Sequence, residues 1–265
     1  MVDLAALCDD LAREHAELDA VVAAVTDAEW DMATPAEGWT IRDQVAHLAF
    51  FDEQATLAVR DPDAFKTGLS HAARDVDDFM EGPLRRAREW SPQQVLGWWR
   101  TARSEMLDAF ATMDASERVP WFGPPMSPAS FISARLMETW AHGQDVVDAL
   151  GIERAPSDRL RHVAHLGVRA LPNSFLANGR EVPTTPVRVE LLGPDSQRWV
   201  WNEDATESVT GDAMDFCLVV TQRRHPDDTG LVVSGDVAEE WIALAQAFAG
   251  PPGTGRRPGQ FARTQ

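Results

Sequence analysis

The chain of 265 residues has no tyrosine, two cysteines and far fewer basic than acidic residues. Cys8 and Cys217 are far apart and form no CxxC pair, so they support neither a disulfide framework nor a thiolate metal site. If a thiol takes part in the chemistry, we expect it to arrive as a cosubstrate. The net charge of −18 disfavours nucleic acids and anionic membrane surfaces as partners.

The sequence also lacks an apolar run long enough to span a bilayer, because charged residues interrupt every helical stretch. Its first ten residues carry acids where a signal peptide would carry positive charge. We therefore expect a cytoplasmic protein, either a monomer or a homodimer. The length allows one large domain or two modest ones.

Apolar residues recur at helical spacing in four long segments, which predicts a four-helix bundle. Thr40 is a plausible N-cap of the second helix, and Asp61-Pro62 is expected to end it. Pro83 could interrupt or start the third helix. The four predicted helices cover residues 4–25, 40–60, 75–110 and 127–150.

After a further helix at residues 157–171, the pattern changes to short alternating or apolar runs of strand length. Strands are predicted at 187–192, 199–201, 207–210 and 231–234, and helices at 212–221 and 237–248. The fold class is therefore α+β, an N-terminal four-helix bundle followed by a small α/β domain. The predicted domains are a bundle over 1–155, a connecting helix and linker over 156–180, an α/β domain over 181–250 and a disordered tail over 251–265.

Three residues indicate a metal site. Glu138 and His142 are four positions apart and would share one face of the fourth helix, while His47 lies on the second helix. Two imidazoles and one carboxylate suit zinc and its first-row neighbours, and three protein ligands leave coordination positions open. The simpler alternative is a surface Glu138–His142 pair and a core histidine at position 47.

Residues 38–48, with the sequence GWTIRDQVAHL, and residues 138–145, with the sequence ETWAHGQD, resemble the DinB-like metal-binding bundles. More narrowly, they resemble the N-terminal domain of the mycothiol-dependent maleylpyruvate isomerase family. The resemblance implies that His47, Glu138 and His142 bind zinc. Residues 209–224 look like the small α/β domain that follows the bundle in those isomerases. The chain looks closest to an actinobacterial subgroup of metal-binding proteins without an assigned reaction.

Other side chains are candidates for supporting roles. Asp145 could orient a ligand histidine through its second ring nitrogen, or lie on the helix surface. Trp121 and Phe122, in a proline-bound loop at 119–126, are placed as a lid that contacts a cofactor. The family usually has Gly-Arg where this chain has Gln222-Arg223-Arg224. Arg223 or Arg224 could clamp a carboxylate of the substrate or thiol, or could simply end a solvated helix.

These observations predict a metal-dependent, zinc-type S-transferase or isomerase that uses mycothiol as cosubstrate and acts on an electrophilic substrate. One alternative is metal-assisted hydrolysis, for which Asp145 is the only candidate base. Another is a non-catalytic protein that binds a metal or a small ligand.

Overall fold

The computed structural model describes residues 3–261, apart from the side chain of His71. The chain divides into two compact units, Met1–Glu153 and Arg154–Gln265. The described part of the first unit contains six α-helices, and that of the second contains four α-helices and a four-stranded sheet. The predicted α+β fold class is confirmed.

The helices of the first unit begin at side chains that cap them. Thr40 and Asp43 form a reciprocal capping box, in which the Thr40 hydroxyl accepts from Asp43 N and the Asp43 carboxylate accepts from Thr40 N. Ser127 caps the last helix, and Gly151 ends it in the left-handed region at φ 65°. The helices are α1 (Leu4–Ala24), α2 (Ile41–Arg60), α3 (Pro62–Ala72), α4 (Val76–Arg88), α5 (Pro92–Phe110) and α6 (Pro128–Leu150).

Four of these helices form the bundle. Helix α2 packs against α5 and α6, and α1 packs against the same two helices from the other side. Buried apolar side chains fill the space between them, among them Leu18, Val45, Trp99 and Val146. Since α2 and α6 are direct neighbours, side chains on their facing surfaces can meet inside the bundle.

One sequence prediction in this unit was wrong in detail. The long third helix is two helices, because Ser91 and Gln94 form a new capping box with Pro92 in the first turn. Pro83 lies inside α4 and is not the break. The predicted end of the second helix at Asp61-Pro62 is confirmed, since α2 ends at Arg60. A further helix, α3, begins there, because Asp61 accepts a hydrogen bond from Ala64 N at 3.0 Å.

The second unit contains a mixed sheet with the strand order β2-β1-β3-β4. Strand β1 pairs antiparallel with β2 and parallel with β3, and β4 pairs antiparallel with β3. Val187, Val189 and Leu191 point to the buried face, as the alternating pattern predicts. The elements are α7 (Leu160–Arg169), α8 (Leu171–Ala177), β1 (Val187–Leu192), β2 (Arg198–Trp201), β3 (Glu207–Asp212), α9 (Ala213–Val220), β4 (Val232–Ser234) and α10 (Asp236–Leu244).

The described part of the segment that the sequence predicts to be a disordered tail contacts earlier residues of the second unit. Asp228 accepts hydrogen bonds from Gly259 N at 2.7 Å and Phe261 N at 3.4 Å, and the Arg224 guanidinium lies 4.0 Å from the Phe261 ring centroid. Residues 262–265 of the predicted tail lie outside the described residues. Within residues 3–261, no helix combines the length and apolar character needed to cross a membrane.

Candidate metal centre

The structure brings the three predicted ligands together. His47 projects from α2, and Glu138 and His142 project from one face of α6. Each offers one ligand atom, and these atoms lie within 4.8 Å of one another. His142 Nε2 and Glu138 Oε2 are 3.3 Å apart, and the two imidazole centroids are separated by 4.5 Å. Residues more than 90 positions apart in sequence therefore form one cluster.

The spacing of the donors fits a divalent ion. Zinc binds histidine nitrogen and carboxylate oxygen at about 2.0–2.2 Å, so the edge of a tetrahedral site is about 3.3–3.6 Å. The 3.3 Å separation between Glu138 and His142 agrees with that edge. The Glu138 side chain is 25% exposed and that of His142 is 11% exposed, so the cluster is accessible from one side. The donor set and spacing thus suit a first-row metal with an open position.

A buried amide that sequence reasoning missed contacts the cluster. Gln44 Oε1 lies 2.5 Å from His142 Nδ1, and Gln44 Nε2 donates to Thr34 Oγ1 at 2.9 Å. Gln44 precedes His47 by three positions, which puts both side chains on one face of α2. The three-residue spacing between Gln44 and His47 was the signal in the sequence that Gln44 could lie near the site. Because the facing helix was not known, this spacing did not identify His142 as the partner of Gln44.

Trp39 packs against both imidazoles. Its ring is stacked on His142 at 5.8 Å and 14° and tilted against His47 at 5.1 Å. The loop that carries Trp39 is held by an isolated bridge between Ala33 and Thr40, and it turns at Gly38 with φ 79°. The indole therefore covers one side of the two imidazoles.

An aromatic cluster continues from the metal candidates to the proline-bound loop. The Phe51 centroid is 4.6 Å from that of His47, 5.6 Å from that of Phe122 and 6.2 Å from that of Trp121. Hydrogen bonds between Val119 and Met126 close the loop in both directions at 2.9 Å. Phe122 is 40% exposed. The members of this aromatic cluster are Phe51, Phe65, Phe79, Trp121, Phe122 and Phe131.

A sequence model of the mycothiol maleylpyruvate isomerase N-terminal domain matches residues 11–147, which is just over half of the chain. The chain belongs to this family. The resemblance predicted from residues 38–48 and 138–145 is thereby confirmed. Family membership supports a mycothiol-related, metal-dependent function and suggests enzymatic activity.

Two curated relatives of this family member are uncharacterized proteins from two strains of Mycobacterium tuberculosis. Each is 43% identical over 257 residues, which covers 97% of this chain and 100% of the relative. The fold is similar to crystal structures of the mycothiol-dependent maleylpyruvate isomerase and of a histidine-to-alanine mutant of it. Their TM-scores are 0.59 and 0.60, with 16% and 15% identity, 88% of this chain covered and 93% of those chains covered. At that identity the structural likeness shows the fold alone.

The remaining predicted site residues of this isomerase-family chain occupy varied surroundings. Asp145 is completely buried on α6, but the partner of His142 Nδ1 is Gln44. Arg223 and Arg224 follow α9 in the second unit, where Arg223 Nη1 donates to Thr221 O and Arg224 Nη1 donates to Arg223 O, both at 2.7 Å. The catalytic roles of Asp145, Arg223 and Arg224 stay predictions.

A second polar group lies deeper on the same two helices of the bundle. Arg135 Nε and Nη2 reach Asp52 Oδ1 at 3.0 and 2.9 Å, and Arg135 Nη2 also donates to Leu48 O at 3.4 Å. Burial raises the pKa of Asp52, although Arg135 opposes this shift. This pair joins α2 to α6 near the cluster of candidate ligands.

Proposed function

We propose that this protein is a divalent-metal, zinc-type S-transferase or isomerase that uses mycothiol as cosubstrate. The observation that carries the proposal is the convergence of the His47, Glu138 and His142 ligand atoms within 4.8 Å in a member of the mycothiol isomerase family. The proposal places the protein in the cytoplasm, where small thiols are kept reduced.

His47, Glu138 and His142 would hold the ion through two nitrogens and one oxygen. When bound, such an ion supplies a positive centre that favours deprotonation of a thiol at neutral pH. The protein side chains supply the setting: Trp39 and Phe51 pack against the imidazoles and keep water from that side. The partly exposed Glu138 marks the open side through which the thiol would enter.

The electrophile would lie against the aromatic cluster, with Trp121 and Phe122 as a lid. The thiolate sulfur forms a bond to an electrophilic carbon. In a transfer reaction a leaving group then departs with the displaced electron pair. In an isomerisation, addition of the thiolate makes a carbon–carbon double bond of the substrate single, and the substrate rotates about it. The double bond then re-forms as the sulfur–carbon bond breaks, and the thiol is regenerated. A role for Arg223 or Arg224 in binding a carboxylate stays a prediction from the sequence.

The test combines metal analysis of the purified protein with calorimetry against mycothiol. We expect about one first-row ion per chain, loss of the ion in His47→Ala and His142→Ala, and mycothiol binding only to the loaded protein. Hydrolysis of an ester or amide without thiol would replace this proposal by the metal-dependent hydrolase. Equal mycothiol affinity with and without metal, and no consumption of any thiol–electrophile pair, would leave only a binding protein.

A further inference from the structure

A buried relay of hydrogen bonds connects the Trp39 loop to one candidate metal ligand. It runs from the Trp39 carbonyl through the Thr34 hydroxyl and the Gln44 amide to His142. We propose that Gln44 and Thr34 are positioning residues which hold the proton of His142 on Nδ1 and so present Nε2 as the ligand atom. This inference rests on the proposed function, because it gives the relay its purpose.

The direction of the relay follows from what each group can donate. A carbonyl only accepts, so Thr34 Oγ1 donates its single proton to Trp39 O at 2.9 Å. The same oxygen can then only accept from Gln44, whose NH₂ group is 2.9 Å away. Gln44 Oε1 is thereby turned toward His142 at 2.5 Å and requires a donor there. In a neutral imidazole, a proton on Nδ1 leaves the Nε2 lone pair available.

Because the relay is buried, reversing the direction of its hydrogen bonds would cost free energy. Gln44 is completely buried, and His142 and Thr34 are each 9% exposed, so water is a poor substitute for the protein partners. Reversing the Gln44 amide would require the Thr34 hydroxyl to turn away from Trp39 O and His142 to move its proton to Nε2. A buried polar group left without a partner costs about 1–3 kcal/mol. The relay therefore couples the conformation of the Trp39 loop to the proton position on His142.

The position of the other ring nitrogen, Nε2, fits this assignment. His142 Nε2 lies 3.3 Å from Glu138 Oε2, on the side where His47 also approaches. Two lone-pair atoms at this distance repel each other, and a cation bound between them is attracted to both. Metal-bound histidines commonly donate their second N–H to a carbonyl or carboxylate oxygen, which orients the ring and raises its basicity. Gln44 Oε1 is that oxygen here.

The decisive experiment reads the proton position in the metal-free protein. Long-range proton–nitrogen NMR at alkaline pH, where imidazole is neutral, distinguishes a protonated Nδ1 from a protonated Nε2. We expect His142 to carry the proton on Nδ1, and Gln44→Leu to abolish that preference. A proton on Nε2 in the unsubstituted protein overturns the relay, whether or not the protein binds metal.

A zinc titration of four variants provides the second measurement. We expect Gln44→Leu and Thr34→Val to weaken zinc binding by about 10–100-fold, and Gln44→Glu to retain it, because a carboxylate can only accept from Nδ1. Thr56→Val is the control, since its buried hydroxyl bonds to Asp52 O on the same α2 helix, outside the relay. Equal zinc affinity in Gln44→Leu and Thr56→Val would contradict the positioning role. Absence of zinc binding in every protein would instead reject the proposed function, with the NMR result still deciding the relay.

Discussion

Helices α2 and α6 carry two polar layers that differ in the kinds of side chain they contain and in how exposed these are. The metal-site layer consists of His47, Glu138 and His142, and the ion-pair layer consists of Asp52 and Arg135. Asp52 follows His47 by five residues, and Arg135 precedes Glu138 by three, so the layers are neighbours along the same helix pair. The same backbone scaffold therefore presents two sites of different chemistry.

In the ion-pair layer the opposite charges cancel, and the side chains are 0% and 4% exposed. In the metal-site layer, two imidazoles and one carboxylate meet, and the Glu138 side chain is 25% exposed. A buried charge requires a partner or an ion, because its desolvation is costly. The buried ion pair therefore holds the two helices together, whereas the more accessible layer of two imidazoles and one carboxylate is suited to receive a cation from solution.

The largest expected effect separates the two layers by metal content. His142→Ala removes one of the three proposed ligands, so bound metal should fall from about one ion per chain to near zero, with affinity reduced more than about 100-fold. The free energy of unfolding of the metal-free protein should change far less than on breaking the ion pair. Metal analysis and urea unfolding measure these quantities, and His162→Ala is the matched histidine control. Full metal content in His142→Ala would mean that the ion binds elsewhere.

The converse change targets the ion-pair layer. Arg135→Met removes the cation beside Asp52, whose carboxyl is fully buried and already has a raised pKa. Either keeping that carboxyl charged or protonating it costs free energy, so we expect a loss of about 3–5 kcal/mol in the free energy of unfolding. The double variant Asp52→Leu with Arg135→Met should regain most of that loss, because it leaves no uncompensated charge. Urea unfolding of both variants shows which of the two has the larger free energy of unfolding. A double variant less stable than Arg135→Met would show that the pair is not the source of the effect.

The convergence of His47, Glu138 and His142 could be predicted from the sequence, and the pairing of Asp52 with Arg135 could not. Glu138 and His142 are four apart on one helix, which puts them on one face whatever the rest of the fold does. His47 joined them through the resemblance of residues 38–48 to the isomerase family. In the sequence alone, Asp52 and Arg135 each look like ordinary helix-surface residues. Their pairing depends on the angle and register between α2 and α6, which local spacing does not determine.

The predicted helix boundaries were also limited to what local sequence signals indicate. Capping residues placed the starts of α2 and α6 correctly, because the Thr40 and Ser127 signals are local. The break at Ser91 was missed although it carries a cap and a proline, because the apolar pattern continued across it. Gln44 was missed for another reason: a glutamine becomes part of a site only when the partner on the facing helix is known.

A smaller, pH-dependent effect is expected deeper in the bundle. His15 is buried, neither ring nitrogen has a hydrogen-bond partner among the described residues, and burial holds its pKa well below the usual range, with Arg103 and Arg135 adding to the shift. Below about pH 6.5 the unfolded chain takes up a proton that folded His15 does not. The free energy of unfolding should therefore fall on acidification, by up to about 1.4 kcal/mol per pH unit from this group.

The control for that effect is His15→Leu, which removes the titrating group and keeps a similar volume. Because Asp52 has a raised pKa and shifts stability in the opposite direction at lower pH, the quantity to measure is the difference between the two proteins. That difference should grow in favour of His15→Leu from about pH 6.5 downward. Parallel stability curves from pH 7 to 5 would show that His15 protonates in the folded state as readily as in the unfolded chain.

The smallest expected effect concerns the aromatic cluster beside the metal-site layer. Phe122 is 40% exposed and packs on Phe51, so Phe122→Ser should change the free energy of unfolding by less than about 1 kcal/mol. If the loop is a lid over the electrophile, losing about 1 kcal/mol of apolar contact should raise KM about fivefold while metal content stays constant. Val76→Ser, at a 59% exposed apolar position on α4, is the control. A KM unchanged in Phe122→Ser would show that the electrophile does not contact this loop, and the apolar side of the site would then end at Phe51.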